Sequence, residues 1–317
     1  MKIGFGAPVS GAWATPENLA DFAVRAEKAG YASLWGFQRL LVPEGSGMEP
    51  VYHSVLDPMA ALAYAAASTS TIRLGVAVVN HPYVAPAYLA KQAATVDILS
   101  HGRLDLGLGI GWMPEEFTAV GATMANRGRR TEEYVAVLRE LWSGGGLSEF
   151  AGRFYEIPRG IVEPKPVQPG GPPVLLGGTV RPALERAGRI ADGWVTSSRA
   201  DLPRIAEGIA IVRESAKQAG RDPYAMRIIC RGVVRVGEPA PAGSGPGSSG
   251  PGNSGRRLLS GSADHIRADT AWLGSQGVTE VFYDLNWDPQ VGSPDADRSA
   301  ATARAGEILD ALAPASD

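Results

Sequence analysis

The run Leu106-Gly107-Leu108-Gly109-Ile110-Gly111-Trp112 places glycine at every second position of an apolar stretch. Glycine weakens a strand and usually marks a bend or a place where a ligand approaches the backbone. Three alternate glycines at the C-terminal end of a strand predict a rim stripped of side chains, against which a flat group can lie. A second glycine pair, Gly177-Gly178, ends the apolar run Pro173–Leu176, and Thr179, Val180 and Arg181 lead from it into a helix. Backbone N–H groups at such a junction bind anions, which makes it a candidate phosphate cradle; a tight turn without a ligand is the alternative. Arg127, Arg129 and Arg130 add a basic cluster, either a solvated face or a contact for an anion.

These groups need a frame that brings distant loops to one place. Short apolar runs alternate with segments of helical period along the whole chain. Strands are expected at Ile3–Phe5, Ala32–Trp35, Ile72–Val79, Leu104–Gly109, Pro173–Leu176, Gly193–Val195, Met226–Val236 and Val278–Leu285. Helices are expected between them at Pro16–Ala29, Asp57–Ser68, Pro86–Leu99, a helical region that starts at Pro114–Phe117 and continues over Arg130–Trp142, Pro182–Ile190, Leu202–Ala219 and Ala263–Gln276, with a last one at Ala300–Leu312. Strict alternation implies a parallel sheet. About eight units in a chain of this length predict a closed α/β (β/α)8 TIM barrel. An open doubly wound sheet fits less well, because the dinucleotide fingerprint needs a G-x-G-x-x-G run at the first strand, whereas the glycines here alternate at the fourth.

A single domain over 1–317 is expected. Two segments depart from the repeat. Residues 144–172, before strand 5, carry Phe154-Tyr155-Glu156-Ile157 between glycine and proline clusters and read as a lid-like excursion over the barrel mouth. Residues 238–255, after strand 7, form a Gly/Ser/Pro-rich low-complexity loop.

The net charge of -3 argues against nucleic acid as a partner. The chain has a single cysteine, Cys230, which rules out an intrachain disulfide and a Cys-based zinc site; its apolar surroundings predict a buried, inert thiol. With no signal peptide and no apolar run long enough to span a bilayer, a cytoplasmic protein without a membrane partner is expected.

Taken in order, Ile72–Val78, Pro86–Gln92, Asp97–Arg103, Gly107–Phe117, Pro173–Gly178, Ala191–Trp194 and Gly261–Ala263 resemble the bacterial luciferase-like superfamily, most nearly its coenzyme F420-dependent branch. The resemblance spans about residues 1–310. It implies a barrel with a flavin or deazaflavin at its C-terminal mouth. Residue by residue, it places a non-prolyl cis peptide and a bulge at Ala77-Val78, under the central ring. It also puts Asn80 near the ring edge, Ile110, Gly111 and Trp112 along the cofactor groove, and Gly177, Gly178, Thr179, Val180 and Arg181 on the phosphate. The basic cluster would then meet an anionic cofactor tail, a flavin phosphate or the polyglutamate of F420. A homodimer packed through barrel helices is expected, with the alanine-rich Met59–Ala67 allowing close approach.

Two positions depart from the family pattern. Gln38-Arg39 stands where an acid–histidine pair is common, and Gln38 is there expected to contact the cofactor. Histidine passes protons near neutral pH, whereas arginine stays charged; Arg39 is therefore a candidate for binding a carboxylate or stabilising developing negative charge, against the alternative of a surface arginine. Trp112 replaces a glutamate that serves as acid or base in the sugar-phosphate dehydrogenases of the branch. Candidate proton carriers near the mouth are His53 and His81, with Tyr52 and Tyr83. The leading expectation is an F420-dependent oxidoreductase passing a hydride between the deazaflavin and a small, anionic organic substrate. The alternative is an FMN-dependent monooxygenase supplied by a separate reductase, and the third a non-catalytic flavin-binding protein.

Overall fold

The computed structural model describes residues 1–237 and 256–315; the low-complexity stretch 238–255 lies outside them. Barrel strands β1 (Lys2–Gly6), β2 (Ser33–Gly36), β3 (Arg73–Asn80), β4 (Leu104–Gly109), β5 (Val174–Gly177), β6 (Gly193–Val195), β7 (Arg227–Val233) and β8 (Glu280–Asp284) are all parallel. Each lies beside its neighbour in the chain, and β8 pairs with β1 to close the barrel. The expected (β/α)8 architecture is therefore present. The helices that cover it are α1 (Pro16–Lys28), α2 (Pro58–Ser68), α3 (Pro86–Leu99), α4 (Pro114–Ala119), α5 (Arg127–Trp142), α6 (Arg181–Ile190), α7 (Ile205–Gln218), α8 (Ala263–Ser275) and α9 (Arg298–Ala311). No helix among the described residues is long and apolar enough to cross a membrane.

The helix starts differ around the wheel. Thr15, Asp57, Ser262 and Asp297 each accept a backbone N–H from the first turn of α1, α2, α8 and α9, the usual way to satisfy an orphan donor. His265 completes a capping box with Ser262. By contrast, α3, α4, α5, α6 and α7 begin with no side-chain cap.

The barrel interior is filled in layers. Near the strand N-termini, the buried Asp105 receives bidentate hydrogen bonds from both Arg73 and Arg227. Burial alone would raise its pKa, but those donors outweigh it and hold the carboxyl below its ordinary value. Above lies an apolar cluster of Trp35, Ala77, Leu175, Val195, Ile229 and Phe282, with Val78 packed on it. Trp35 and Phe282 stack at 5.1 Å. Cys230 is buried as expected, and burial pushes its thiol up to about 12.

Segment 144–172 is a two-stranded antiparallel hairpin, Leu147–Ala151 with Glu156–Ile161. It packs along α5 instead of spanning the mouth. The Glu133 carboxylate on α5 accepts the backbone N–H groups of Arg153, Phe154 and Tyr155 at the turn, and Tyr155 meets Tyr134 edge-on at 5.6 Å. Helix α5 also starts earlier than expected, so Arg127, Arg129 and Arg130 occupy its first turn.

Candidate active site

The C-terminal rim is built around an irregularity in β3. Val76 pairs with Leu106 and Val79 with Leu108, so Ala77 and Val78 face the single residue Gly107, a two-against-one bulge. The Ala77-Val78 peptide bond is cis. Ala77 is buried, and Val78 is part-exposed on top of the interior cluster, forming a ledge.

The glycine tract serves this ledge first. A Cβ on Gly107 would stand 2.1 Å from the carbonyl oxygen of Val76, and one on Gly109 would stand 2.4 Å from Val78 Cγ2. The missing side chains at 107 and 109 thus make room for the chain's own bulge, which corrects the expectation that they clear space for a ligand directly. Gly111 differs: its φ of +66° favours glycine, and a Cβ there would crowd the Tyr83 hydroxyl and Phe117.

Hydrogen bonds tie three loops together around the ledge. Gln38 Oε1 accepts from the Asn80 backbone N–H at 2.8 Å, and Asn80 Oδ1 accepts from the Gly111 N–H at 3.1 Å. Arg127 Nη1 donates to the Gly111 carbonyl at 2.5 Å. Gln38, Asn80, Gly111 and Arg127 therefore form one connected edge, Ile110 lies within it, and Trp112 stands beside it, 58% exposed.

Arg39 has a carboxylate already. Its Nη1 lies 3.0 Å from Glu116 Oε2, and the two side chains are 5% and 1% exposed. The guanidinium packs between Tyr52, 4.6 Å from the ring centre, and Trp112, at 5.1 Å. Glu116 also accepts from the Leu40 N–H and the Tyr83 hydroxyl. Burial, and then the adjacent Glu116, push the Tyr83 pKa well up.

The two candidate histidines separate. His53 is exposed, its Nε2 3.2 Å from the Met48 carbonyl. His81 is fully buried, which corrects its candidacy as a proton carrier at the mouth. Its Nε2 meets Thr131 Oγ1 at 2.9 Å, and that hydroxyl donates to the Arg127 carbonyl. The imidazole must therefore be the donor through Nε2, leaving Nδ1 buried without a partner. Burial, then Arg186 and Arg130, push its pKa down to about 3, so it stays neutral.

Part of the phosphate candidates and part of the basic cluster converge. A groove of about 530 Å³ between the starts of α5 and α6 is lined by Ile110, Asn126–Arg129, Val180, Pro182, Ala183 and Arg186, among others. Of the predicted phosphate residues Val180 lines this groove, whereas Thr179 and Arg181 line a separate one with Trp194 and Arg199; Arg181 pairs with Glu185 at 3.1 Å. No carboxylate among the described residues lies within 4 Å of Arg127 or Arg129. Arg186 is 3.7 Å from Glu132, which Arg189 approaches more closely. Gly177 has room for a side chain, whereas a Cβ on Gly178 would strike Ala183 at 2.5 Å, fixing how closely the turn approaches α6.

Sequence patterns missed Glu116, Arg231 and Asp284. Arg231 interrupts the apolar run of β7 and pairs with Asp284 at 2.7 Å. A cation in the middle of a buried strand was the available signal.

The chain belongs to the luciferase-like monooxygenase family, whose model matches residues 3–242. An uncharacterized protein of Mycobacterium tuberculosis is 32% identical over 231 residues, 67% of this chain and 78% of that one. The FMNH2-dependent dimethylsulfone monooxygenase of Pseudomonas fluorescens is 34% identical over 175 residues, 54% of this chain and 45% of the enzyme. The fold is shared with the coenzyme F420-dependent tetrahydromethanopterin reductase of Methanopyrus kandleri, at a TM-score of 0.72 and 18% identity, over 99% of this chain and 98% of that one.

Proposed function

We propose that this protein is an F420-dependent oxidoreductase, with the deazaflavin on the C-terminal rim and a small organic substrate above it. The α5/α6 groove carries the proposal. Two uncapped helix starts and the guanidiniums of Arg127, Arg129 and Arg186 share it, and among the described residues Glu132 is the only carboxylate within 4 Å of the three. Anions are stabilised at helix N-termini and cations are not. A ligand with a phosphate and further carboxylates would relieve that surplus better than a single terminal phosphate.

The residues present fit such a group. Val78, Ile110, Gly111 and Trp112 would bound the ring, and Gly177–Arg181 with the three arginines would hold the anionic arm. When bound, the deazaflavin supplies hydride exchange with a substrate carbon. The chain's own part is to orient the two reactants and exclude water. Because Glu116 balances the charge of Arg39, we assign Arg39 to the wall of the substrate space, with Tyr52 and Trp112, and not to an unmatched anchor for an anionic substrate. His53 keeps its place as the solvent-reachable proton carrier.

An FMN-dependent monooxygenase, served by a separate reductase, is the second reading, and the 34% identity to an FMNH2-dependent enzyme favours it. Cofactor titration separates the two. Quenching of F420 fluorescence with no FMN binding supports the first. Tight FMN binding, oxygen consumption on reduction and no F420 binding would replace it with the second. A homodimer through α2, whose Ala60, Tyr64 and Ala67 face outward, would be tested by light scattering.

A further inference from the structure

Arg231 crosses the barrel. It stands on β7, and its Nη1 donates to the carbonyl oxygen of Ala77 on β3, 3.0 Å away. In the order of the closed barrel these strands lie opposite one another. Its Nε donates to Asp284 Oδ2 at 2.7 Å. The guanidinium lies 4.1 Å from the Trp287 ring centre and 4.7 Å from that of Phe37. The Arg231 and Asp284 side chains are 8% and 1% exposed. Asp284 is fixed in turn, since its Oδ1 accepts from both the backbone and the side-chain amide of Asn286, and that amide also donates to the Ala7 carbonyl.

The Ala77 carbonyl needs such a donor. The residue pairing of β3 with β2 ends at Val76, and its pairing with β4 skips from Val76 to Val79. Ala77 and Val78 therefore fall outside the residue pairing with both neighbours, and a buried carbonyl without a partner is costly. A guanidinium held by a carboxylate gives a directional, charge-assisted bond that a flexible ammonium would not reproduce.

We propose that Arg231, set by Asp284, is a positioning residue for the Ala77–Val78 ledge and so fixes the height and tilt at which a planar cofactor ring rests. The proposal depends on the rim being a flavin or deazaflavin seat. Neither Arg231 nor Asp284 is assigned contact with the reacting atoms.

Replacing Arg231 alone would leave Asp284 buried and unpaired, and the chain could then fail to fold. The test is therefore the double variant Arg231→Met/Asp284→Asn. It removes the donor and the buried charge together and keeps an Oδ1 for Asn286. The matched control is Arg256→Met/Asp269→Asn, a pair at 2.7 Å with side chains 9% and 1% exposed, whose carboxylate stands on α8 and whose hydrogen bonds go to residues 257–260 and not to the Ala77–Val78 ledge. Thermal midpoints, the dissociation constant for whichever of F420 or FMN the wild type binds, and the absorption band of the bound cofactor are measured for all three proteins. Both variants should melt earlier. Only the rim variant should bind about tenfold or more weakly and shift the bound band. Wild-type affinity and band position in the rim variant would overturn the proposal, as would equal weakening in the control. A wild type that binds neither cofactor removes the seat itself and this role with it, an outcome distinct from failure of the positioning role alone.

Discussion

Two halves of the wheel are finished differently. After β7, β8, β1 and β2 the helices start at Ser262, Asp297, Thr15 and Asp57, which cap them from within the chain. After β3, β4, β5 and β6 they start uncapped, and α5 opens with three arginines in its first turn. Arginine there runs against the helix dipole. On the finished half, Arg231 has Asp284 and Arg304 has Asp288; on the open half, Arg127 and Arg129 have no carboxylate within 4 Å among the described residues. The contrast teaches where to look for a ligand: on the side where the chain has left its own electrostatics incomplete.

Arg39 tests the comparison most severely, because it belongs to the loop after β2 yet pairs with Glu116 on α4. Arg39→Ala should lower stability by about 3–5 kcal/mol, the scale of a buried carboxylate left alone, as read by urea denaturation. Arg39→Ala/Glu116→Gln should recover most of it. A single variant as stable as wild type would mean that this pairing does not hold the two halves together.

On the open half the same kind of deletion should behave in the opposite way. Arg129→Ala/Arg186→Ala should weaken cofactor binding about a hundredfold, as expected for two lost charge-assisted contacts. The cofactor-free melting temperature should stay level or rise. A fall in melting temperature with binding intact would erase the distinction between the halves.

His81 sharpens it further, since burial and the guanidiniums of the open half act on it. Its pKa is held near 3 by burial, Arg186 and Arg130, against 6.5 for a free imidazole. Between these values the unfolded chain takes up a proton that the folded chain refuses. The associated stability is complete above 6.5 and is lost as the pH falls. At pH 5 the loss is about 2 kcal/mol. His81→Gln should flatten that part of the stability profile, and an unchanged slope would count against the buried neutral ring. His53→Ala, at an exposed site, should change stability by no more than about 0.5 kcal/mol; a larger loss would show that the loop after β2 depends on it.

Periodicity alone was enough for the barrel, because alternating runs and capped helices are local properties. The bulge at Ala77-Val78 was legible through resemblance, and the basic cluster through composition. What escaped was pairing over long separation. Nothing near Arg39 announces Glu116, and nothing near Arg231 announces the Ala77 carbonyl on the opposite strand. Gly107 and Gly109 misled for a related reason. A gap in side chains looks the same whether a ligand or the neighbouring strand fills it, and only the distances to Val76 and Val78 decide. His81 looked available because it follows a strand end, where burial by Thr131 and Tyr134 of α5 leaves no local trace.

The stacked Trp35 and Phe282, with the Asp105 arginine clamp beneath them, also govern traffic. They stop the axis of the barrel, so anything that settles on Val78 arrives and departs by the same doorway. Two guests sharing that doorway must queue: the deeper one enters first and leaves last. Steady-state kinetics with two varied reactants should therefore follow a compulsory order, and the deeper product should inhibit competitively against the deeper reactant alone.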